Sequence, residues 1–560
     1  MVAAVLTAVT AESLVQLTQI YRFSYDAYTH VFFADHYRRD WFNLWDDRWY
    51  GGVSVTTYPP LTHQLMALIS FLLNLEMAYQ VIAILAYGLL SYSIYLFSRI
   101  FLTEGEAQYT AFVGSLLPAA GLVLNAFGQL PTVFSTALAL IAAYKYSKYL
   151  EDGSVKNLVQ ASLWTSSSGL AHHFTFLFFV PLTQLTVLIL FLRRGKFMVK
   201  RTLLHLLLTA AVLVLILWPL INSATQALSL KEIPHATREN LFLNFISLAV
   251  FFWGVYSFTI LLLPNAIAIA LRRRDLLPLL ALFIVLFLFG LGGTTPLPRL
   301  VLGSLWQVLT YDRFAFWAMV TYSPFLGIML ADADIFTRKY FWGDRLNSKK
   351  GPVKTLLIMS FFVGLIISFG IVSGSVVILG LQHEDLLSSD QLERLASFLD
   401  TNSEWKYITL GLNSQRFLLS AKTSATTLDG GYNHAKTNPL LTESGVESLD
   451  AAKHFPNGLS LLKKVLREES NNGLKYVISA DRYYDYILRE NGLRPLFTLY
   501  GPKNVTVWEI PYAMSIKGEP SHKESSNIVV TALWSLGPLT ILAASIILGV
   551  FDKGLRRWSH

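Results

Sequence analysis

Residues 21–61 read YRFSYDAYTHVFFADHYRRDWFNLWDDRWYGGVSVTTYPPL, and the placement of this stretch decides how the rest of the chain is arranged. It gathers Asp26, Asp35, Asp40, Asp46 and Asp47 with His30 and His36 in a chain otherwise built from long apolar runs. Thirteen of the 38 residues from Tyr21 to Tyr58 are Phe, Trp or Tyr, against 14% for the whole chain. Such rings suit a membrane–water boundary, where one end of the ring is buried and the other wet. The stretch is therefore expected to be an interfacial loop, not a span.

Composition sets the class. Of 560 residues, 53% are hydrophobic and 15% charged, and the mean hydropathy is +0.45. Several apolar runs reach the ~18 residues that cross a bilayer core, so the chain reads as a polytopic α-helical membrane protein. The net charge of +8 lies in short Lys/Arg clusters between apolar runs, where it orients the chain in the membrane; no nucleic-acid partner is expected. The absence of cysteine excludes disulfides, Cys-ligated zinc and iron–sulfur centres.

Residues 1–20 are apolar but interrupted by Glu12, Gln16 and Gln19, which makes a weak first span. A cleaved signal peptide is the rival reading, but the segment lacks a basic start, and a retained helix is expected. Leu61–Leu75 is too short to cross at 1.5 Å per residue and reads as a juxtamembrane helix, with Pro59 and Pro60 preventing its extension upstream. Eleven further spans are expected near 78–100, 108–127, 130–149, 157–172, 174–192, 202–221, 242–271, 276–292, 313–331, 354–380 and 528–551, about 12 in all.

The basic clusters give these spans an orientation. Arg193–Arg201, Arg272–Arg274, Arg338–Lys354 and Lys553–Arg557 are separated by two spans each, as they must be if all face the cytoplasm. The count then places the loop 21–60, the short loops near 128–131 and 172–173, the loops 222–241 and 293–312, and the polar segment 381–526 outside. The expected organisation is a transmembrane module over 1–380, an extracytoplasmic α/β domain over 381–526 inserted before the last span, and a final helix with a cytoplasmic tail over 527–560. Its setting is the plasma membrane. Within 381–526, helices are expected at Gln391–Asp400, Leu459–Glu469 and 483–491, and strands at 405–411, 416–421, 474–481, 493–500 and 505–510. Asn504-Val505-Thr506 fits the N-glycosylation pattern, which is too short to carry a function.

Asp26 and His30 are four apart, so on a helix they would share a face and meet one substrate or one divalent cation, Mg or Mn. On spacing alone, a hydrated interfacial pair is the commoner outcome. Asp46 and Asp47 are either a metal pair or, more simply, a solvated turn before Gly51-Gly52. Arg313 stands at the outer start of a span, placed either to grip an anionic headgroup through its planar donor fork or to snorkel. Of His172 and His173, adjacent residues point in different directions, so one at most serves a site, and His173 is taken. Glu232, His235, Arg238 and Glu239 are weaker candidates, and the turn Gly128–Pro131 needs no chemical role. Thr427–His434, with Asp429 and His434, is a Gly-containing loop suited to binding, or simply a turn.

Taken in order, Tyr25-Asp26-x-x-x-His30, Trp45–Gly52 and Tyr58-Pro59-Pro60-Leu61 resemble the first outer loop of GT-C superfamily membrane glycosyltransferases. The likeness is greatest to the bacterial membrane proteins labelled 6-pyruvoyl-tetrahydropterin synthase-related, a label that implies no pterin chemistry, and it reaches Thr427–His434. The resemblance implies an outward-facing site, a carboxylate after the first span, a juxtamembrane helix and a polyprenyl-phosphate-linked sugar donor. It carries to Asp26 alone as the catalytic residue. Many such enzymes have a second acidic motif in the next outer loop, and Asn125–Thr132 offers no carboxylate, which puts a metal-dependent site in doubt.

On that reading, Asp26 is the base of an inverting single displacement from a lipid phosphate to a glycan, lipid or protein acceptor. Hydrolysis of an ordinary glycoside would instead need two paired carboxyls. Arg313, His30, His173, Asp429 and His434 are candidate binding residues, and Trp49 and Tyr58 candidate sugar-stacking rings. Two rivals stand beside it. A transporter of lipid or solute would concentrate ionisable groups at the bilayer midplane, and a non-catalytic envelope glycan assembly protein would keep the fold without the chemistry.

Overall fold

A helix, not a loop, carries most of the chemically rich stretch. In the computed structural model, which describes residues 1–196, 198–227, 231, 233–341, 351–383, 386–515 and 527–557, helix α1 spans Val2–Leu17 and α2 spans Ala27–Arg39. Strands β1 (Trp45–Asp46) and β2 (Val53–Ser54) pair antiparallel, Trp45 opposite Ser54. Helices α3 (Leu61–Ser70) and α4 (Leu75–Ser98) follow. Pro60 occupies the N-cap of α3, and Asn74 caps α4 by accepting from the Met77 N–H at 2.7 Å.

The rings expected to lie half-wet at an interface are mostly packed. Tyr28, Phe32, Phe33 and Trp49 are buried, and Trp49 stacks on Phe32 at 3.6 Å with planes 6° apart. The aromatic density of this stretch builds a core between α2, α3 and the later α/β segment, and the expectation of a loop is corrected to a helix over Ala27–Arg39. Tyr25 and Phe42 keep exposed rings.

Each of the twelve stretches expected to span is helical. Seven helices among the described residues are long and apolar enough to cross a membrane, or eight if the pair Glu104–Gly114 and Pro118–Ala126, bent by 41°, is one span. The pair bends because Pro118 restarts the helix and its last turn widens into a π-turn at Leu122–Ala126. The stretch 245–272 passes through α, π and 3₁₀ turns. Burial orders the bundle: Asp312–Asp332 is 94% buried and Met359–Leu381 only 17%. The helix that begins at Asp312 therefore stands in the middle of the bundle, with Asp312 buried and Arg313 half-buried at its start. Parts of the basic cluster 338–354 and of the polar segment, residues 342–350 and 516–526, lie outside the described residues.

The later α/β segment forms one sheet. β3 (Lys406–Leu410) pairs parallel with β4 (Leu474–Ser479), and β5 (Arg494–Leu499) and β6 (Val505–Glu509) pair antiparallel, in the order β3-β4-β6-β5. Residues 416–421, expected as a strand, lie in a helix, Gln415–Lys422. A six-residue apolar run does not distinguish the two states; here packing against α2 selects the helix. Backbone bonds join the segment to the β1–β2 hairpin: the Thr427 N–H donates to Arg48 O at 2.9 Å and the Gly51 N–H to Thr427 O at 3.1 Å.

Beneath this junction lies a buried ion cluster. Arg48 donates to Asp35 at 2.5 Å and to Asp46 at 2.7 Å, His36 Nδ1 meets Asp46 at 2.8 Å, and Arg39 binds Asp35 at 2.6 Å and the Ala421 carbonyl at 2.6 Å. Burial works against ionising Asp46, yet Arg48 and His36 hold its carboxyl far below the usual range. Asp46 is thus neither a metal ligand nor part of a solvated turn. Asp47 only accepts from the Trp45 indole at 2.7 Å.

Candidate active site

Asp26 sits at the N-cap of α2, where its side chain makes no capping bond and its carboxylate is left free. Its backbone is held by the loop around residues 126–129. The Tyr25 N–H donates to Ala126 O at 3.1 Å and the Asp26 N–H to Phe127 O at 3.0 Å. Gly128, at φ +71°, lies so close that a Cβ there would overlap Ser24 Oγ and the Ala27 nitrogen. Both ends of that loop are clamped. Asn125 donates to Glu12 at 3.2 Å and accepts from Gln16 at 3.0 Å, while Gln16 also donates to Glu12 at 2.7 Å. Gln129 donates to Asp312 at 2.7 Å. The polar residues that weaken α1 as a span thus hold this loop, and the turn 128–131, expected to be idle, positions Asp26.

Asp26 as a residue is half-buried, and its carboxyl is enclosed by protein. Burial pushes it up to about 7; the Arg313 guanidinium draws it down, the Glu447 and Asp312 charges push it up, and Arg416 draws it down again. Arg313 donates from Nη1 to Thr310 at 2.9 Å, lies 5.5 Å from the Phe174 ring centre and keeps Nε without a partner among the described residues. Its position is braced from the 222–241 loop. The Tyr311 N–H donates to Thr237 Oγ1 at 3.1 Å, and Arg238 donates to Leu309 O at 3.1 Å and Ile233 O at 2.6 Å. His235 bonds Thr237 at 2.8 Å. Arg238 and His235 are therefore supports, and Glu232 lies outside the described residues.

Tyr58 is the hub of the opposite wall. Its ring centre lies 5.9 Å from His30, 5.2 Å from His63, 5.5 Å from His173 and 5.1 Å from Tyr432; Tyr432 in turn lies 5.3 Å from His434. Burial pushes His30 well below the ordinary imidazole range, with His63 adding to it, and takes His63 and His173 down to about 3 and His434 to about 4. The imidazoles are neutral donors and acceptors, so Arg313 supplies the positive charge on this side.

Asp26 stands at the N-cap of α2, and His30 Nδ1 is bonded to His63 Nε2 at 3.0 Å. Among the described residues no group of three or more His, Asp or Glu is arranged to hold a metal ion, so the expected Mg or Mn pair of Asp26 and His30 has no third such ligand there.

Of the residues expected to bind, the Arg313 charge acts on Asp26, Tyr58, His30, His173 and His434, and the Asp26 charge acts on Tyr58. The other two are engaged elsewhere. Trp49 is packed on Phe32, and Asp429 is buried shaping its own loop, where it accepts from Ser448 at 2.7 Å and the Gly430 N–H at 3.0 Å. Asp312, Gln129, His63, Arg416 and Glu447 were not singled out from sequence. Asp312 adjoins Arg313 and was open to inspection; the others carry no local motif.

This architecture, a helical bundle with a small α/β unit, is similar in fold to solved GT-C glycosyltransferases. Structures that share it include ArnT from Cupriavidus metallidurans bound to undecaprenyl phosphate, at 11% identity over 92% of this chain and 99% of that one with TM-score 0.52. The Archaeoglobus fulgidus oligosaccharyltransferase in complex with Zn and sulfate matches at 12% over 87% and 69%, TM-score 0.52. The arabinofuranosyltransferase AftD from Mycobacteria matches at 12% over 92% and 40%, TM-score 0.52. At these identities the likeness is one of fold. The chain belongs to the family of membrane proteins described as 6-pyruvoyl-tetrahydropterin synthase related, whose sequence profile matches residues 55–377. That match begins after Asp26 and ends before Thr427–His434. No curated protein sequence matches the chain significantly.

Proposed function

We propose that this protein is a membrane glycosyltransferase that moves a sugar from a polyprenyl-phosphate-linked donor to an extracytoplasmic glycan, lipid or protein acceptor. The observation that carries the reading is the carboxylate of Asp26 at the N-cap of α2, which makes no capping bond, is raised to about 7 and feels the charge of Arg313. A carboxylate with that affinity for a proton is a competent general base near neutral pH.

In the proposed reaction, the acceptor hydroxyl gives its proton to Asp26 as its oxygen bonds to the anomeric carbon. The bond from that carbon to the phosphate oxygen breaks, and the electron pair leaves with the lipid phosphate. Arg313 offsets the charge on the departing phosphate, while the neutral histidines around Tyr58 supply hydrogen bonds without further charge. One displacement inverts the anomeric centre. The undecaprenyl phosphate bound by ArnT supports a lipid-phosphate donor. The same reading takes all twelve helical stretches as crossing, α3 as the juxtamembrane helix, and the site and segment 381–526 as outside, with the C-terminus cytoplasmic.

The test is transfer from radiolabelled polyprenyl-phosphate sugars to an envelope extract by purified protein in lipid, comparing wild type with Asp26→Asn. Transfer by wild type alone is expected. Equal transfer by both would remove Asp26 as the base; transfer by neither across a broad donor panel would favour a non-catalytic assembly role.

A further inference from the structure

We infer that Asp312 and Gln129 form a sugar subsite beside Asp26, in which two oxygens accept the two O–H groups of a vicinal diol on the transferred sugar. This rests on the donor reading above and adds to it what the sugar must present.

The bond from Gln129 Nε2 to Asp312 Oδ2, 2.7 Å long, fixes the orientation of both side chains. It leaves Gln129 Oε1 and Asp312 Oδ1, on residues only 8% and 3% exposed, without any partner among the described residues. Buried polar atoms are nearly always hydrogen-bonded, so two unpartnered oxygens on side chains that are bonded to each other call for a ligand. The chemistry of that ligand follows from the atoms. An amide carbonyl and a carboxylate oxygen only accept, so the ligand must bring a donor to each.

Of the neighbouring donors, Arg313 Nε is left without a partner among the described residues, and it is taken as part of the phosphate-binding guanidinium. Arg313 Nη1 bonds Thr310, His235 bonds Thr237, and the Tyr311 N–H bonds Thr237 Oγ1. The phosphate cannot be this ligand, because an anion set against a buried carboxylate would be repelled; it belongs with Arg313. A pair of adjacent sugar hydroxyls meets the requirement, and the bond to Asp312 would be charge-assisted. The subsite is also in the right place: the Asp312 charge acts on Asp26, and the loop that carries Gln129 holds the Asp26 backbone. The pair would thus orient the sugar while Asp26 remains free to take the acceptor proton.

The test separates sugar from lipid phosphate. Binding of heptaprenyl phosphate, and of its glucosyl, mannosyl and arabinosyl esters, is measured on full-length protein in lipid nanodiscs for wild type and Asp312→Asn. Asparagine keeps the shape and can still accept from Gln129, but it presents an N–H where the free oxygen was. Wild type should bind at least one sugar ester tenfold or more tighter than heptaprenyl phosphate, and Asp312→Asn should lose that increment while binding heptaprenyl phosphate as before. Donor esters deoxygenated at either hydroxyl of the diol should bind wild type like the variant. If the increment survives in Asp312→Asn, or wild type shows none, the subsite is overturned and the lipid-phosphate reading stands. If wild type binds neither heptaprenyl phosphate nor any ester, both fail.

Discussion

Replacing Glu447 with glutamine should shift the pH dependence of transfer, although Glu447 belongs to the α/β segment and Asp26 to the N-cap of α2. With Asp26 at about 7, the competent, deprotonated fraction is about one-tenth at pH 6 and about nine-tenths at pH 8, so the rate should climb through neutrality to a plateau. The charge of Glu447 is one of the influences that raise Asp26, while Arg313 and Arg416 lower it. Glu447→Gln removes a raising influence and leaves both lowering ones, so the limb must move to lower pH. A shift of about one unit, worth ~1.4 kcal/mol, would take the competent fraction at pH 6 from about one-tenth to about one-half. That is roughly a fivefold gain at pH 6 with the pH 8 plateau unchanged. Glutamine can still accept from Asn433, which donates to Glu447 at 3.0 Å, so the loop should hold its shape. The assay is initial transfer rate in proteoliposomes from pH 5 to 9, with Asp26→Asn as the blank. A wild-type limb near pH 4, or a limb that rises in Glu447→Gln, would refute the electrostatic account of the site.

Two further substitutions probe how the site is held. Arg48→Met would strand Asp35 and Asp46 in the buried ion cluster without their shared cation, a loss of about 3–5 kcal/mol that thermal unfolding in lipid nanodiscs should show as a large fall in Tm; a change within experimental error would mean that the cluster is hydrated. Gly128→Ala would force a Cβ against Ser24 and Ala27 at a positive φ, and should abolish transfer while the protein still inserts and still unfolds cooperatively. Retained activity would mean that the loop around residues 126–129 does not position Asp26.

Much of the frame is legible in the sequence because its causes are local. Apolar length gives the helical stretches, Pro59 and Pro60 give the start of α3, and alternation gives the strands that become β3, β4, β5 and β6. Where local signals are ambiguous, the reading failed: residues 416–421 are short and apolar enough for either state, and their contact with α2 made them a helix. The aromatic residues of the opening stretch were read by type alone, and their burial depends on partners far along the chain, such as Phe417, whose ring centre lies 5.6 Å from Trp49.

The site divides in the same way. The carboxylate at Asp26 and the guanidinium at Arg313 stand out in sequence because a charged residue beside long apolar runs is costly and needs a reason. Which residues face them does not stand out. That His30 turns to His63 and away from Asp26, that Asp429 serves its own loop, and that Gln129 reaches Asp312 follow from contacts between segments far apart in the chain. Sequence alone determined a helical membrane protein with an acidic first outer stretch, since hydropathy and charge act residue by residue. Only the tertiary structure decided which acid is free, which is paired and what surrounds it, because burial and hydrogen bonding belong to the packed chain and not to any one segment of it.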